Sequence, residues 1–555
     1  MARNIVFKLK NDFTGGLNFR ADQFQLAENE SPFLINMEID PRGGLFTRAG
    51  IHFKNTTPIA VSQATWNPKS TFFYDASNRY IMMSTGFLVT SGEVWYSTGA
   101  NFTRLPLPAA ALLNVSNPNG AAFTQWEQNL YIAAGSGNAN IYKWIAPAAN
   151  ATSLTASGPT WQPYAAPTGG YAPRANIIKA HANKMFVANT IENSVSYPNR
   201  LRWSHEGLPE DWEKDDYIDI AAGGEGIRAL AIVDGQLLIF KPNAIFLLMG
   251  YDVDNFQLVE ISTTTGVEYP QHVVEGDGGA YLFDFPKGLF FYNRSGLQDI
   301  FLRLSPLIVN NEINSGALDQ LSLSYINGRL WMAAPYNPIP NGPLVSYPAV
   351  NFIFDQSIGQ FGAYTMFQTS DGYGVITGCD YRDSSDSAWH IMMRPDVKFA
   401  AYADDFDNLE DDQYDGAAIT ENLFQTTYAT SWFYDDRYVQ DKTFVGPNYV
   451  MKEVELDTTV GVQIYYDFDS STAVRSQTIQ LSANTVGAVY GPTALYDTAV
   501  YGFSDIGPSL VQGQRFGRCK AIQLEFTGPT VGSPSGRRWG VNSLAYKFKR
   551  RNIKG

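Results

Sequence analysis

Side chains that could carry nucleophilic or metal chemistry occur in this sequence, but their spacing forms no recognisable site. No serine lies in a Gly-x-Ser-x-Gly elbow, no glycine-rich stretch matches a phosphate-binding loop, and no His-Glu-x-x-His zinc motif occurs. The five histidines stand in no paired arrangement: His52, His181, His205, His272 and His390. The sequence therefore predicts no catalytic residue, no cofactor-binding residue and no metal ligand, and it favours a protein that is not an enzyme.

The two cysteines, Cys379 and Cys519, are far apart in sequence and show no Cys-x-x-Cys spacing. A zinc site or a disulfide framework needs more cysteines or closer ones. We therefore expect both residues to be buried free thiols, which behave as small hydrophobic side chains.

Acidic residues concentrate between positions 401 and 424, where hard oxygen ligands could gather around calcium. The spacing of an EF-hand loop fails there, because Leu409 and Gln413 stand where its pattern needs oxygen ligands or glycine. The segment 401–424 is interpreted as a solvated acidic linker. Its carboxylates are those of Asp404, Asp405, Asp407, Glu410, Asp411, Asp412 and Asp415.

The net charge of −14 over 555 residues argues against a protein that grips nucleic acid phosphates by counterion release. An acidic surface can instead let DNA pass without sticking. The first residues lack the apolar core of a secretory signal, and the most apolar region, 229–249, is interrupted by charged residues, glycine and proline. Neither export by that route nor a membrane anchor is expected.

A turn residue followed by an apolar strand recurs roughly every 50 residues, a period typical of β-propeller blades. A single blade exposes two faces that its neighbours must cover, which explains why such units repeat. The sequence predicts an all-β fold with a propeller of about six or seven blades over residues 56–400, and evenly spaced hairpins in β-sandwiches are the alternative. The repeats begin at Asn78, Asn129, Asn183, Gly235, Gly288, Gly328 and Trp389.

The regions on either side of the repeats have different sequence patterns. Residues 1–55 are punctuated by glycine and proline and are predicted to form an extended N-terminal arm. One short helix is expected there from Ser31, because Pro32 could occupy its first position. Residues 425–555 return to alternating strands, at 454–456, 462–466, 478–481 and 521–526, and are predicted to form a separate C-terminal β-sandwich.

Two motifs have a pattern beyond strand periodicity. The first reads Gly-Gly, a polar spacer, Asn and then Arg-x-Gly, and the second contains a Trp-Ser pair before the apolar region. In this order they resemble the tail nozzle proteins, also called tail tubular protein B, of short-tailed bacteriophages. The resemblance marks seven residues as assembly residues: Gly15, Gly16, Asn36, Arg48, Gly50, Trp203 and Ser204.

The resemblance implies a structural component of the virion tail, a hexameric nozzle that forms the distal DNA-ejection channel below the portal and adaptor. It implies a homo-oligomer that contacts the adaptor and the tail fibre or other tail proteins. It also implies transient passage of double-stranded DNA without specific binding. The net charge adds a separate hypothesis, an acidic channel wall that does not hold the passing duplex.

Other functions remain open at the level of sequence. A receptor-binding or peripheral minor tail protein would project outward and bind a glycan on the host surface. A propeller glycosidase would need two carboxylates in its central funnel, and the acidic residues are too numerous to choose among. A cellular interaction module is a further alternative, and the abundant aromatic residues fit packed interfaces and glycan binding alike.

Overall fold

The computed structural model shows a chain built almost entirely of β-strands, in two compact units. One, the ring unit, comprises Phe53–Asn351 and Tyr373–Tyr402. The other, the terminal unit, comprises Met1–His52, Phe352–Gly372 and Ala403–Gly555. The described residues are 5–550 except 22–24, 56, 61–67, 77, 87–91, 100, 106–113, 116–118, 135–140, 146–172, 193–194, 214, 223–224, 337–349, 360–361, 370–373, 395–399, 406–409, 415–417, 435–440, 452–457, 482–508, 513–517 and 530–537.

The ring unit contains seven successive antiparallel sheets, in which strands pair mostly with their neighbours in sequence. Five have three to five strands each, the sixth contains a hairpin, and the seventh contains a hairpin whose second strand also pairs with Ala400–Asp405. Their strands, in chain order, are Pro68–Asp75, Arg79–Thr85, Gly92–Ser97, Thr103–Arg104 and Asn114–Val115; Ala122–Trp126, Asn129–Ala133 and Ile141–Ile145; Arg174–His181, Lys184–Glu192, Val195–Trp203 and Tyr217–Asp219; Ala229–Val233, Gln236–Phe240, Ile245–Met249 and Gln257–Ser262; Val273–Gly276, Gly279–Asp284, Gly288–Asn293 and Gly296–Asp299; Ser322–Ile326 and Arg329–Ala334; Thr377–Arg382 and Ala388–Met393.

The seven sheets follow one another around a closed path. The first strand of each sheet contacts the first strand of the next, and the first strand of the seventh sheet contacts that of the first. Buried apolar clusters lie between neighbouring sheets, and one of them joins Met83 of the first sheet to Ile391 of the seventh. The core of this unit therefore lies between sheets, and the all-β, propeller-like prediction is confirmed at this level.

Tight hairpin turns explain why the sequence repeat was visible. Type I′ turns need positive φ at both central residues, which favours Asn, Asp and Gly. The predicted repeat at Gly288 is an exception: it begins the third strand of its sheet and not the second, because the turn between the first two strands is at Gly278. Among the described residues, the turns from first to second strand with this geometry include Ala182 with Asn183, Asp234 with Gly235, and Asn327 with Gly328.

Helices are short and few among the described residues. None of them is long and apolar enough to span a membrane. Two strands, Val350–Asp355 and Ala400–Asp405, lie where the chain passes in sequence from one unit to the other. The helical segments are the 3₁₀ turns Val253–Asn255, Pro270–His272, Leu302–Leu304 and Ser315–Gln320, and the α-helix Pro306–Val309.

The terminal unit is assembled from distant parts of the chain. Its large sheet contains Gly540–Arg550, which pairs with strands from both the beginning and the end of the sequence. The strands of the large sheet are Ile5–Lys10, Met37–Ile39, Leu45–Thr47, Lys442–Met451, Ser509–Gln512, Arg518–Cys519 and Gly540–Arg550. Six consecutive strands of a second, larger sheet also belong to this unit and are called here the six-strand sheet. Their order is Ala363–Phe367, Phe33–Ile35, Thr427–Ala429, Ile522–Thr527, Thr458–Tyr466 and Arg475–Leu481.

Two smaller groups of strands complete this unit. Gly16–Leu17 pairs in parallel with Glu30–Ser31. A three-strand group places Glu410–Tyr414 between Gly50–Phe53, to which it is parallel, and Ile419–Leu423, to which it is antiparallel.

The structure differs from the prediction of an N-terminal arm with a short helix. The helix expected from Ser31 is wrong: Phe33–Ile35 is a strand that pairs with Thr427–Ala429 on one side and Ala363–Phe367 on the other. Pairing on both edges satisfies the backbone of this segment and overrides the local signal of Pro32. The first 52 residues are thus part of the terminal unit together with residues 403–555.

The segment predicted as a solvated acidic linker also differs. It contains the strands Glu410–Tyr414 and Ile419–Leu423, and Asp411 is fully buried. Charge alone suggested a solvated loop, but a buried carboxylate is tolerated where a cation pairs with it. Asp407 and Asp415 lie outside the described residues, as does the predicted strand at 454–456.

Candidate functional site

The seven assembly residues predicted from the resemblance fall into two groups. Five lie in the terminal unit, and Trp203 and Ser204 lie in the ring unit. Asn36, Arg48 and Gly50 of the first group belong to one buried network, named here the arginine node. The node consists of Asn36, Arg48 and Asp411 with their hydrogen-bond partners, and of the strand that begins at Gly50.

Asn36 is the turn residue of the arginine node. It has a φ of 56°, in the left-handed region where asparagine is enriched, between the strands Phe33–Ile35 and Met37–Ile39. Its side-chain oxygen accepts hydrogen bonds from Arg48 Nε at 2.9 Å and from the Gln368 backbone N–H at 2.9 Å. Its side-chain nitrogen donates to the Gln425 carbonyl at 2.7 Å. One amide side chain thus joins three separate segments.

Arg48 uses all five of its N–H groups inside the protein. Nη1 and Nη2 donate to the two carboxylate oxygens of Asp411 at 2.8 and 2.7 Å, a bidentate pair. The remaining donors go to Asn36, to the Ala49 carbonyl at 2.8 Å and to the Gln368 carbonyl at 3.0 Å. Because no donor is left over, this guanidinium cannot also bind a phosphate or a substrate.

The same guanidinium is buried between two aromatic rings. Its carbon lies 3.4 Å from the centre of the Phe424 ring and 4.5 Å from that of Phe367. Arg48 is 4% exposed and Asp411 is 0% exposed. Asp411 also accepts a hydrogen bond from the Ile51 backbone N–H at 3.1 Å, next to Gly50. The node is therefore a structural connection across 363 residues of sequence.

Gly15 and Gly16 are fixed by close backbone approaches. A Cβ on Gly15 would lie 2.7 Å from the Asn29 carbonyl oxygen, and one on Gly16 would lie 2.8 Å from the Tyr364 carbonyl oxygen. Gly16 also has a φ of +63°. Only glycine fits these two positions without movement of the backbone.

Trp203 and Ser204 have packing and hydrogen-bonding roles within the third sheet of the ring unit. The Trp203 ring is buried and meets the Phe256 ring edge-on, with 5.2 Å between centroids. The Ser204 hydroxyl accepts a hydrogen bond from the Met185 N–H at 2.9 Å, and the Ser204 N–H donates to the Met185 carbonyl at 2.9 Å. The Ser204 hydroxyl itself donates to the His205 carbonyl at 3.1 Å, so its proton is held by the backbone, whereas a catalytic serine gives its proton to a base.

A histidine and two carboxylates next to the arginine node were not predicted from the sequence. His52, Asp412 and Glu421 each bring one ligand atom within 4.8 Å of the others. His52 Nδ1 lies 3.3 Å from Asp412 Oδ1. The strands that carry them are 360 residues apart, so no local spacing could have revealed the group. We call these three residues the His-Asp-Glu cluster.

A buried lysine is a second feature that the sequence did not reveal. Lys10 is 7% exposed as a residue, and its amine is buried with no hydrogen-bond partner among the described residues. It lies over the rings of Phe13 and Tyr428, at 5.3 and 5.6 Å from their centres. Burial lowers the pKa of this amine to about 7, against a smaller opposing effect of Asp12.

The expectation of free cysteines is confirmed, and that of burial is confirmed for one of the two. Cys379 and Cys519 are both free, Cys519 is buried, and Cys379 is partly exposed. Burial raises the pKa of the Cys519 thiol to about 12, which makes it unreactive at neutral pH.

No family model matches this sequence, and no curated protein matches it. Several solved structures are similar in shape at low identity. The extracellular domain of a proposed one-component system from B. thetaiotaomicron matches at 11% identity over 90% of this chain and 62% of its own length, with a TM-score of 0.40. The Dos1 propeller matches at 8% identity over 67% of this chain and 93% of its own, with a TM-score of 0.36.

A glycoside hydrolase family 43 arabinoxylan arabinofuranohydrolase from Bacillus subtilis matches at 10% identity, over 90% of this chain and 98% of its own, with a TM-score of 0.24. The chain spans less than two thirds of the first of these structures. With TM-scores below 0.5, none of these likenesses indicates what this chain does.

Proposed function

We propose that this chain is a structural component of a bacteriophage tail, a nozzle subunit that assembles as a hexameric ring around the DNA-ejection path. The observation that carries the proposal is the role of the nozzle-like motif in the terminal unit. Its residues turn the backbone, permit close approach or hold a buried ion pair, and none is left to bind a substrate. A motif with only architectural roles fits a scaffold better than an enzyme.

We also propose a finer description of the fold. The ring unit is a seven-bladed propeller in which each small sheet is one blade, and the terminal unit is a β-sandwich of the large and six-strand sheets. Contacts between the first strands of the seven sheets support the blade count. Tyr449 of the large sheet meets Phe526 of the six-strand sheet edge-on, with 5.5 Å between ring centroids, which supports the sandwich.

The proposed partners follow from the same function. The nozzle would bind further copies of itself, the adaptor, and the tail fibre or other tail proteins, and it would reside in the virion. Double-stranded DNA would pass without specific binding, which the net charge of −14 favours. A contact with the host surface belongs to the alternative of a receptor-binding tail protein.

Cryo-electron microscopy of virions that carry this protein tests the proposal directly. Six copies on the tail axis, around an open channel, are the expected result, and a purified assembly should have six times the chain mass of 61.5 kDa. Monomeric or three-fold density at the tail periphery would overturn the nozzle and favour receptor binding. A lumen lined mainly by lysine and arginine would overturn the separate hypothesis of an acidic wall.

A further inference from the structure

The two aspartates of the strand Glu410–Tyr414 face opposite sides. Successive side chains of a strand alternate between faces, so Asp411 and Asp412 diverge. Asp411 meets Arg48 in the arginine node, whereas Asp412 meets His52. Ile51 is paired with Asp411 across the parallel strands, which places His52 beside Asp412 on the second face. This face is separate from the motif that carries the proposed function.

Glu421 completes a row across three adjacent strands. It is directly opposite Asp412 in the antiparallel pair, so the two carboxylates project from neighbouring positions. Like charges directly opposite each other destabilise a sheet. A divalent cation between them would replace this repulsion with two attractive contacts. The row therefore has the charge of a cation site as well as its ligand atoms.

The distances fit a small divalent metal ion. With metal–ligand bonds of roughly 2.1 Å in a tetrahedral site, ligand atoms lie roughly 3.4 Å apart. The separation of 3.3 Å between His52 Nδ1 and Asp412 Oδ1 matches this value. Glu421 is exposed and its ligand atom lies within 4.8 Å of both, so a rotation of its side chain can close the third bond.

We propose that the His-Asp-Glu cluster binds one zinc ion, with water in the remaining position. An imidazole nitrogen among the ligands favours zinc and related transition metals over calcium and magnesium, which prefer oxygen ligands alone. The exposed Glu421 leaves an open side toward solvent through which the ion enters. Bound there, zinc ties the strand Gly50–Phe53 to the two acidic strands and stabilises the terminal unit. This inference does not rest on the nozzle function.

The test uses the full-length, untagged chain after treatment with EDTA. Isothermal titration with zinc chloride should show one ion bound per chain, and cobalt in its place should give the visible absorption bands of a tetrahedral site. His52→Gln and Glu421→Gln should each weaken zinc binding by at least about tenfold, since each removes a direct ligand. Glu421 is exposed, so Glu421→Gln should leave folding intact, which circular dichroism checks.

His390→Gln is the matched control. His390 Nδ1 lies 2.8 Å from Asp380 Oδ1, a similar pair, but among the described residues no third ligand joins it. This variant should bind zinc as the unchanged chain does. The proposal is overturned if the unchanged chain binds no zinc, or if binding persists undiminished in both His52→Gln and Glu421→Gln.

Discussion

The ring unit and the terminal unit reach compact all-β structures by opposite routes. In the ring unit, a strand such as Lys184–Glu192 pairs with Arg174–His181 before it and Val195–Trp203 after it. In the terminal unit, Ile5–Lys10 pairs with Gly540–Arg550. Local pairing needs only turns and apolar faces, whereas pairing over hundreds of residues has a larger loop-closure entropy cost and needs specific contacts to fix the partner.

The polar interiors of the two units reflect that difference. The arginine node in the terminal unit joins strands that no turn connects, through a buried ion pair with every donor satisfied. The ring unit has buried ion pairs too, such as Arg202 with Glu192, but this pair joins two strands of one hairpin, and apolar clusters lie between neighbouring sheets. Specific buried polar contacts should therefore matter most in the terminal unit, and turn geometry and burial in the ring unit.

The largest expected effect is that of Arg48→Met. It leaves Asp411 buried without its cation, which costs about 3–5 kcal/mol in such pairs. The terminal unit of the variant should unfold at a lower urea concentration than that of the unchanged chain, while the ring unit is unaffected. Hydrogen exchange measured on separate peptides follows each unit. Arg294→Met, which removes the pair between an exposed arginine and Asp234 in the ring unit, is the control and should change little. Equal effects of both variants would break the comparison.

Lys10→Met should stabilise the terminal unit at neutral pH by about 2–4 kcal/mol, because a buried amine without a hydrogen-bond partner among the described residues is replaced by an apolar side chain. Burial lowers the pKa of Lys10 from 10.5 to about 7. As pH falls, the amine of the unfolded chain therefore binds its proton before the amine of the folded chain does. The cost of Lys10 is therefore full below pH 7 and disappears as pH rises to 10.5. Urea midpoints at about pH 7 and about pH 10 should show the gain shrink.

Lys8→Met is the control for that experiment, since Lys8 is half-exposed and paired with Glu28. A destabilised Lys10→Met, or a gain that does not depend on pH, would show that the amine has a partner or a role in the folded state.

His272 provides a comparable test in the ring unit. Its ring is buried against Phe283 and Tyr269, Nε2 lies 2.9 Å from the Leu318 carbonyl, and burial lowers its pKa to about 4. The unfolded chain takes up a proton near pH 6.5, so the contribution of His272 is present above pH 6.5 and is lost as pH falls to 4. The expected loss is about 2–3 kcal/mol.

His272→Gln should keep the hydrogen bond to Leu318 and remove this part of the acid sensitivity, measured as the difference in ring-unit stability between about pH 7 and about pH 4.5. His205→Gln, at an exposed position, should behave as the unchanged chain does. If both variants retain the full acid sensitivity, His272 is not the titrating group.

The smallest expected effect is that of Gly328→Ala in a type I′ turn of the ring unit. Gly328 has a φ of +67°, and a Cβ added there would meet nothing within 4 Å, so the cost is conformational alone, about 1 kcal/mol. Gly328→Asn should cost less, because asparagine tolerates the left-handed region. Thermal denaturation of both variants measures the difference, and equal losses would mean that the left-handed backbone at Gly328 is not the source of the cost.

The sequence predicted the part of the fold that depends on pairing between neighbouring strands. Turn residues such as Asn183 and Gly235 precede second strands, so the repeat and the all-β class could be predicted from hairpin chemistry. The helix expected from Ser31 was wrong because its strand is fixed by partners near residues 366 and 428. No local pattern encodes partners that far apart.

The candidate site shows the same limit. The resemblance marked Asn36 and Arg48, but nothing in the acidic stretch distinguished Asp411, which pairs with Arg48, from its neighbours. His52 has no potential ligand near it in sequence, and only the fold brings it next to Asp412. Alternation along Glu410–Tyr414 could have assigned the two aspartates to opposite faces, had the segment been taken as a strand.

The pairing of Ile5–Lys10 with Gly540–Arg550 has a consequence for the order of events on the ribosome. At a synthesis rate of roughly 5–20 residues per second, the first strand waits for roughly half a minute or longer before its partner is made. The ring unit can fold in the meantime. Until then the early strand, with the exposed side chains of Phe7 and Leu9, is a ready substrate for chaperones that hold nascent chains.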